Sequence, residues 1–141
     1  HQMSKGPEAR FWNILKGSMP PKAYAQRIEN RAGGGVPDVH CMLNGFPFWL
    51  ELKVANKFIV KHSPHQIAWH TSYAARGGLS FFLINSLSSK QIHLIEGREA
   101  MSVAQAPSFE GLGRSFSGKG EVWAALEELS AAHYACAVAD M

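Results

Sequence analysis

The chain has 141 residues, of which 46% are hydrophobic and 18% are charged. This composition excludes a disordered or collagen-like chain and predicts one domain with a hydrophobic core, over residues 3–141. No run of 18 apolar residues occurs, so we expect no membrane association. The formal charge of +3 is unevenly distributed: residues 1–63 carry nine Lys and Arg against four Asp and Glu, whereas residues 64–141 carry five against seven. The basic half favours a polyanionic partner.

The first predicted helix covers residues 7–16, because Pro7 suits its first position and a proline pair follows its end. Glu8 lies at the end of an apolar stripe that includes Phe11 and Leu15 at helical spacing. An acidic residue in a first turn is also favoured by the helix dipole alone.

Residues 24–30 are predicted to form a strand on which Arg27 and Glu29 share a face, so a surface ion pair is the simplest account of Glu29. The loop at residues 31–35 contains three glycines and can approach another backbone closely. With Arg27 and Arg31 it would lie against a phosphate backbone, and a plain connector is the alternative.

Residues 34–54 form the most informative stretch. Two segments rich in β-branched and aromatic residues flank Asn44 and Gly45, which is typical of a β-hairpin with a two-residue turn. This turn places Asp38 directly opposite Glu51, with Cβ atoms about 4.5–5.5 Å apart on one face of the sheet. Lys53 lies on the same face, because side chains alternate along a strand.

Two facing carboxylates repel each other, and folding alone gives no reason to place them in an otherwise apolar hairpin. A hard divalent cation such as Mg²⁺ would remove this conflict. Lys53 would then lie beside the ion and stabilise charge that develops on a phosphate during phosphodiester hydrolysis. A half-exposed hairpin with a salt bridge from Lys53 to a carboxylate is the alternative.

The connection after the hairpin carries Lys57 and Lys61, for which phosphate contact and ordinary solvation are both open. Ser63 and Gln66 then form a capping-box pattern around Pro64 at the start of the next helix. This pattern is already a complete structural explanation for Gln66.

Histidines cluster in this region, where His62, His65 and His70 join His40 and Cys41 on the hairpin. The spacing does not favour zinc, because neither HExxH nor a CxxC pair is present. His40 shares a face with Asp38 and is the histidine best placed to touch a substrate, although stacking on Trp49 across the hairpin is the simpler expectation.

The apolar run at residues 80–84 predicts a buried strand that follows the hairpin through a βαβ crossover. Residues 91–95 are predicted to form a further strand, and residues 107–120, with four glycines, a flexible segment. A C-terminal amphipathic helix is predicted over residues 121–138. Because its apolar side needs a partner, we predict that it packs on a second chain in a two-fold homodimer, with packing on its own sheet as the alternative.

Within residues 34–54 the chain resembles the PD-(D/E)XK nuclease superfamily: Pro37 and Asp38 match the PD element, and Glu51-Leu52-Lys53 matches the ExK element. The resemblance extends over about residues 8–95. It is strongest to the VRR-NUC and phage-type, Holliday-junction-resolvase-like branch, through three segments: Arg27-Ile28-Glu29-Asn30, Gly35-Val36-Pro37-Asp38 and Ser63-Pro64-His65-Gln66. It implies an α/β fold with a mixed sheet flanked by helices, a restriction-endonuclease-like αβββαβ core over about residues 7–95, and a C-terminal helix.

The resemblance also implies site roles. Asp38, Glu51 and the Leu52 carbonyl would ligate Mg²⁺ or Mn²⁺, and Lys53 would be the catalytic lysine. The family's glutamine after the ExK element implies that Gln66 positions the attacking water or a phosphate. Many members place an acid on the first helix, which favours Glu8 over Glu29 as a third metal ligand.

We therefore expect a metal-dependent DNA endonuclease, selective for branched or junction DNA, with no small-molecule cofactor. Arg27, Arg31, Lys57, Lys61 and His40 are its predicted DNA contacts. The alternatives are a catalytically idle DNA-binding module and an RNA-directed hydrolase or phosphatase. Two carboxylates that face a polyanion argue against the idle module. We expect a cytoplasmic or nucleoid-associated protein, of a kind that phages also encode.

Overall fold

A computed structural model describes residues 6–28 and 34–139. The helices are α1 (Pro7–Lys16), α2 (Pro64–Ala75), α3 (Ala100–Gln105) and α4 (Lys119–Ala139), with a 3-10 turn at Gly97–Glu99. The strands are β1 (Ala23–Arg27), β2 (Val39–Leu43), β3 (Phe46–Ala55), β4 (Ser80–Ser86), β5 (Gln91–Glu96) and β6 (Arg114–Phe116). No helix in this part of the chain is long and apolar enough to cross a membrane.

The six strands form one mixed sheet in the order β1-β2-β3-β4-β5-β6. All neighbouring strands are antiparallel except β3 and β4, which run parallel because α2 connects them in a crossover. The first six elements follow the order αβββαβ. The predicted α/β class, with a mixed sheet flanked by helices and a C-terminal helix, is therefore confirmed.

The hairpin of β2 and β3 has the predicted register. Its turn residues, Asn44 and Gly45, have φ angles of 55° and 83°, as a tight hairpin turn requires. His40 pairs with Trp49 and Val39 with Leu50. The register therefore brings the residues just before β2 alongside the middle of β3.

The sheet separates two hydrophobic cores. On one face, α1 and α4 cover the inward side chains of the hairpin, including Val39, Leu50 and Leu52. On the other face, α2, α3 and the segment around Phe58 and Phe109 cover β4 and β5. Successive residues of β3 alternate between these faces, so Glu51 points away from α1 and α4.

The segment at residues 107–120 differs from the predicted flexible loop. It contains β6, in which Phe116 pairs with Ile92, and Phe109 is only 3% exposed. An edge strand needs only a few backbone hydrogen bonds, so a short strand forms here despite the glycine-rich composition.

The C-terminal helix packs on its own sheet. Val122, Trp123 and Leu126 are at most 2% exposed and join the core under the hairpin. The indole Nε1 of Trp123 donates a 2.8 Å hydrogen bond to the Leu15 carbonyl. The apolar side of α4 is thus covered by the chain's own sheet, so α4 does not need a second subunit to bury it.

Candidate active site

Asp38 and Glu51 lie together where β2 begins. The Asp38 N–H donates to the Leu50 carbonyl at 3.0 Å, which continues the hairpin ladder by one residue. The Leu52 N–H donates to Asp38 Oδ2 at 2.7 Å and fixes that carboxylate against β3. Glu51 is only 1% exposed. Two acidic side chains are therefore held side by side on the sheet face that α2 covers.

Helix α2 holds both oxygens of the Glu51 carboxylate. Gln66 Nε2 donates to Glu51 Oε2 at 3.0 Å, and His70 Nε2 lies 3.3 Å from Glu51 Oε1. Gln66 and His70 are four residues apart, so they share one face of the helix. A single helix face thus sets the orientation of the carboxylate.

The Gln66 amide links the helix cap to this site. Its Oε1 accepts hydrogen bonds from the Ser63 N–H and from Lys53 Nζ, both at 3.0 Å, and the Gln66 N–H donates to Ser63 Oγ at 3.1 Å. The capping box and the contact with Glu51 therefore coexist in one side chain. Among the described residues, Lys53 forms no ion pair with a carboxylate, so the salt-bridge alternative is not observed.

His70 and Ser80 are members of the site that sequence reasoning missed. Ser80 Oγ lies 2.7 Å from His70 Nδ1, and both residues are at most 2% exposed. When Glu51 is ionised it only accepts, so His70 Nε2 carries the proton and Nδ1 accepts from the Ser80 hydroxyl. Gly97 packs so closely on Ser80 and His70 that a Cβ there would overlap them. The available signal was the four-residue spacing from Gln66.

We expect Ser80→Ala to weaken divalent-ion affinity about tenfold, because groups that orient a metal ligand typically contribute 10- to 100-fold. The substitution leaves His70 Nδ1 without the Ser80 hydroxyl, so the His70 imidazole orients the Glu51 carboxylate less firmly. Isothermal titration with Mn²⁺ measures the effect. Thr71→Ala, which removes a hydroxyl that donates to the Ile67 carbonyl within α2, is the matched control. Equal affinities in both variants would show that Ser80 has only a packing role.

The two carboxyl groups have strongly perturbed acidities. Burial, followed by the charge of Glu51, raises the pKa of Asp38 to about 7. Burial also raises the pKa of Glu51 to about 7, although the Lys53 ammonium and a hydrogen bond with Asp38 act in the opposite direction. Burial lowers the pKa of His70 to about 4, so its imidazole is neutral. The metal-free site thus retains protons at pH values where exposed carboxyl groups have lost them.

The metal-free protein should therefore lose stability as the pH rises from roughly 5 to roughly 8, by on the order of 5 kcal/mol. The reason is that the unfolded chain releases both protons near the ordinary pKa values of 3.8 and 4.5, whereas the folded chain keeps them up to about pH 7. Thermal melts in EDTA measure this slope. Asp38→Asn should flatten it, and a slope that stays unchanged in this variant would place the titration elsewhere.

This donor set suits a hard divalent cation. Each carboxylate oxygen has two lone pairs, so the oxygens bonded to Leu52, Gln66 and His70 retain acceptor capacity for an ion. A cation between Asp38 and Glu51 would also offset the repulsion that contributes to the raised pKa of Asp38. Mg²⁺ typically takes one or two protein carboxylates and fills its other positions with water and phosphate oxygens.

The structure does not bring Glu8 to the carboxylate pair. The apolar side of α1 packs on the sheet face opposite to Glu51, and Glu8 lines a surface groove with Val54 and Lys61. Within residues 6–28 and 34–139, no group of three or more His, Cys, Asp or Glu side chains could hold a metal ion. The role of Glu8 stays a prediction, and the zinc alternative gains no support.

The predicted DNA contacts are spread around the site. His40 stacks on Trp49, with ring centroids 4.9 Å apart, on the face of the carboxylates. Arg27 pairs with Val39 and so lies on the opposite face, where its Nε is buried without a hydrogen-bond partner in the described structure. Lys57 and Lys61 are exposed on the connection from β3 to α2. Arg31, like Glu29, lies outside the described residues.

The glycine-rich loop is described only from Gly34 onward. Gly35 has a φ of 86° and lies against the His65 carbonyl, where a Cβ would overlap the backbone. The predicted close approach to another backbone is thus observed at this residue, and the partner is the first turn of α2.

Comparison with known proteins gives structural similarity without sequence similarity. No family model matches the chain, and no curated protein matches it in sequence. One similar solved structure is a "VRR_NUC domain", with 19% identity and a TM-score of 0.46, covering 71% of this chain and 96% of that one. Another is Hjc, a Holliday junction resolvase from Archaeoglobus fulgidus, with 13% identity and a TM-score of 0.48, covering 63% of this chain and 72% of that one. The chain is thus similar in structure to these two proteins at low sequence identity.

Proposed function

We propose that this protein is a metal-dependent endonuclease that hydrolyses phosphodiester bonds in DNA. The observation that carries the proposal is the pair of a half-buried Asp38 and a buried Glu51, with Lys53 held beside it. Gln66 bonds Glu51 at 3.0 Å and Lys53 at 3.0 Å, so one side chain sets the positions of both an acidic and a cationic group.

Asp38, Glu51 and the Leu52 carbonyl would hold Mg²⁺ or Mn²⁺. When bound, the ion polarises the phosphate and lowers the pKa of a coordinated water. Gln66 and His70 keep the Glu51 carboxylate in one orientation. The Lys53 ammonium, directed by Gln66, orients the attacking water and stabilises negative charge in the transition state.

A nucleic-acid substrate is supported by the chemistry around the pair. Exposed Lys57 and Lys61 lie on the connection between β3, which carries Lys53, and α2. An idle binding module is the weaker alternative, because two adjacent carboxylates would repel a phosphate backbone unless a cation lay between them. A DNA substrate would place the protein in the cytoplasm or at the nucleoid.

The proposal is tested by incubating the protein with end-labelled linear, nicked and four-way-junction DNA, and with an RNA strand of matched sequence. We expect incision of DNA with Mg²⁺ or Mn²⁺ and none with EDTA. Faster cleavage of the junction would support the selectivity for branched DNA. Cleavage of RNA alone would favour the RNA-directed hydrolase, and no cleavage of any substrate would overturn the proposal.

The two-fold homodimer also remains a proposal. The apolar side of α4 no longer supports a dimer, because Trp123 and Leu126 pack on the sheet of their own chain. Light scattering after size exclusion decides it, since a dimer has a mass near twice the 15.5 kDa chain.

A further inference from the structure

A row of aromatic side chains runs from the carboxylate pair across the hairpin and onto α2. Its members are His40, Trp49, Trp69 and Tyr73, which we call the aromatic row. The ring centroids are 4.9 Å apart from His40 to Trp49, 5.8 Å from Trp49 to Trp69 and 4.6 Å from Trp69 to Tyr73. Each ring thus touches the next, and the last two are stacked face to face.

The aromatic row differs from the aromatic residues that fill the core. Of the four tryptophans in the chain, Trp12 and Trp123 are at most 4% exposed, whereas Trp49 and Trp69 are only half-buried. His40 and Tyr73 are also half-buried. Ring surface in the row therefore remains open to solvent, although folding places large apolar groups inside where it can.

The aromatic row begins beside the proposed site. Trp49 precedes Glu51 by two residues on the same face of β3, a separation of about 6.6 Å along the strand. On α2, Trp69 is adjacent to His70, which contacts Glu51 at 3.3 Å. A polymer strand that placed a phosphate at the carboxylate pair would therefore have its neighbouring units over the row.

Charge around the row suits a polyanion. Among the described residues, the groove beside Trp69 and Tyr73 is lined further by Gly34, His65, Ala68, Ser72 and Arg76, a set without a carboxylate. Lys53 stands at the other end of the row, held by Gln66. Arg76, which lines this groove, can contact a phosphate while the rings face the bases.

We propose that the aromatic row is a stacking site for unpaired bases, and that the substrate is DNA with a single-stranded segment next to the cleaved bond. Bases in an intact duplex have both faces covered by their neighbours, whereas unpaired bases can stack on protein rings. The inference rests on the proposed function for the identity of the ligand as DNA. The Tyr73 ring lies so close to Gly78 that a Cβ at residue 78 would overlap it. This contact holds the Tyr73 end of the aromatic row in place.

The test is fluorescence anisotropy in EDTA, where no cleavage occurs, with labelled single-stranded, flapped and blunt-duplex DNA. We expect the wild type to bind the first two more tightly than the duplex. Trp69→Ala should weaken those two about tenfold, as the loss of one base-stacking contact does, and change duplex binding less than twofold. Trp69→Leu keeps apolar volume but offers no ring face, so it should behave like Trp69→Ala.

Two further variants separate stacking from folding. Trp69→Phe retains a ring face and should retain most of the preference for unpaired DNA, whereas a folding defect would affect it as well. Val138→Ala removes an apolar side chain that is 68% exposed on α4 and lines none of this groove, so it should match the wild type. Equal losses on duplex and single strands, or no loss in Trp69→Leu, would overturn the stacking site.

The outcomes are distinguishable from failure of the proposed function. Cleavage that persists without any preference for unpaired DNA overturns the stacking site alone. A clear preference that depends on Trp69, in a protein that cleaves no DNA with Mg²⁺ or Mn²⁺, overturns the nuclease proposal and leaves the stacking site intact.

Discussion

Asp38→Asn and Glu51→Gln should each reduce DNA cleavage by about 10³-fold or more, while the protein remains folded. Either substitution removes one of the two carboxylates proposed to hold the divalent ion, and neither changes the size of the side chain. At pH 8 the metal-free Asp38→Asn protein should also melt at a higher temperature than the wild type, because the like-charge repulsion with Glu51 is gone.

Isothermal titration with Mn²⁺ and single-turnover cleavage measure these effects together. Glu99→Gln is the matched control, since it neutralises an exposed acid on another element, the 3-10 turn before α3. If either site variant bound Mn²⁺ as tightly as this control does, the assignment of the metal site would be wrong.

Lys53→Ala should lower the single-turnover rate about 10²- to 10³-fold and leave Mn²⁺ and DNA affinity within about threefold of the wild type. The physical reason is that Lys53 forms no ion pair with the carboxylates in the described structure, and its ammonium is directed by Gln66 at 3.0 Å. Its charge is therefore available to the transition state. Lys53→Met, which keeps the length of the side chain, should show the same loss.

Lys61→Ala provides the contrast, because this exposed side chain is a predicted phosphate contact and is not among the hydrogen-bond partners of Gln66 in the described structure. It should weaken DNA binding, most visibly at low salt, and leave the rate of the bound complex unchanged. The opposite pattern, with normal turnover and weak DNA binding in Lys53→Ala, would make Lys53 a phosphate anchor and contradict the mechanism.

Much of the local structure is determined by the sequence itself. Asn44 and Gly45 accept positive φ angles at little cost, so the turn and the register of Asp38 against Glu51 follow from two residues. The Ser63 and Gln66 capping box likewise begins α2 at Pro64, as its pattern predicts. These features depend on neighbours within a few positions, which a sequence displays directly.

The roles predicted for Asp38, Glu51 and Lys53 came from the resemblance to PD-(D/E)XK nucleases and stay predictions. For Gln66 the sequence left two explanations open. Tertiary structure shows why they need not compete. Gln66 Oε1 accepts the capping hydrogen bond from the Ser63 N–H at the start of α2, and Nε2 of the same amide donates to Glu51. Only the docking of α2 on β3 brings those partners together.

Long-range packing also decided what the sequence could not. His70 and Ser80 are ten residues apart and belong to different elements, so their contact with each other and with Glu51 exists only after the crossover folds onto the sheet. The apolar side of α4 indicates that this helix packs on a hydrophobic surface. Which surface it packs on depends on the shape of the core formed by Leu15 and β3. Periodicity and turn chemistry thus determined the hairpin, the helices and the acidic pair. The partners of each buried face were decided by tertiary structure, because contacts distant in the chain depend on shape and volume that no local pattern encodes.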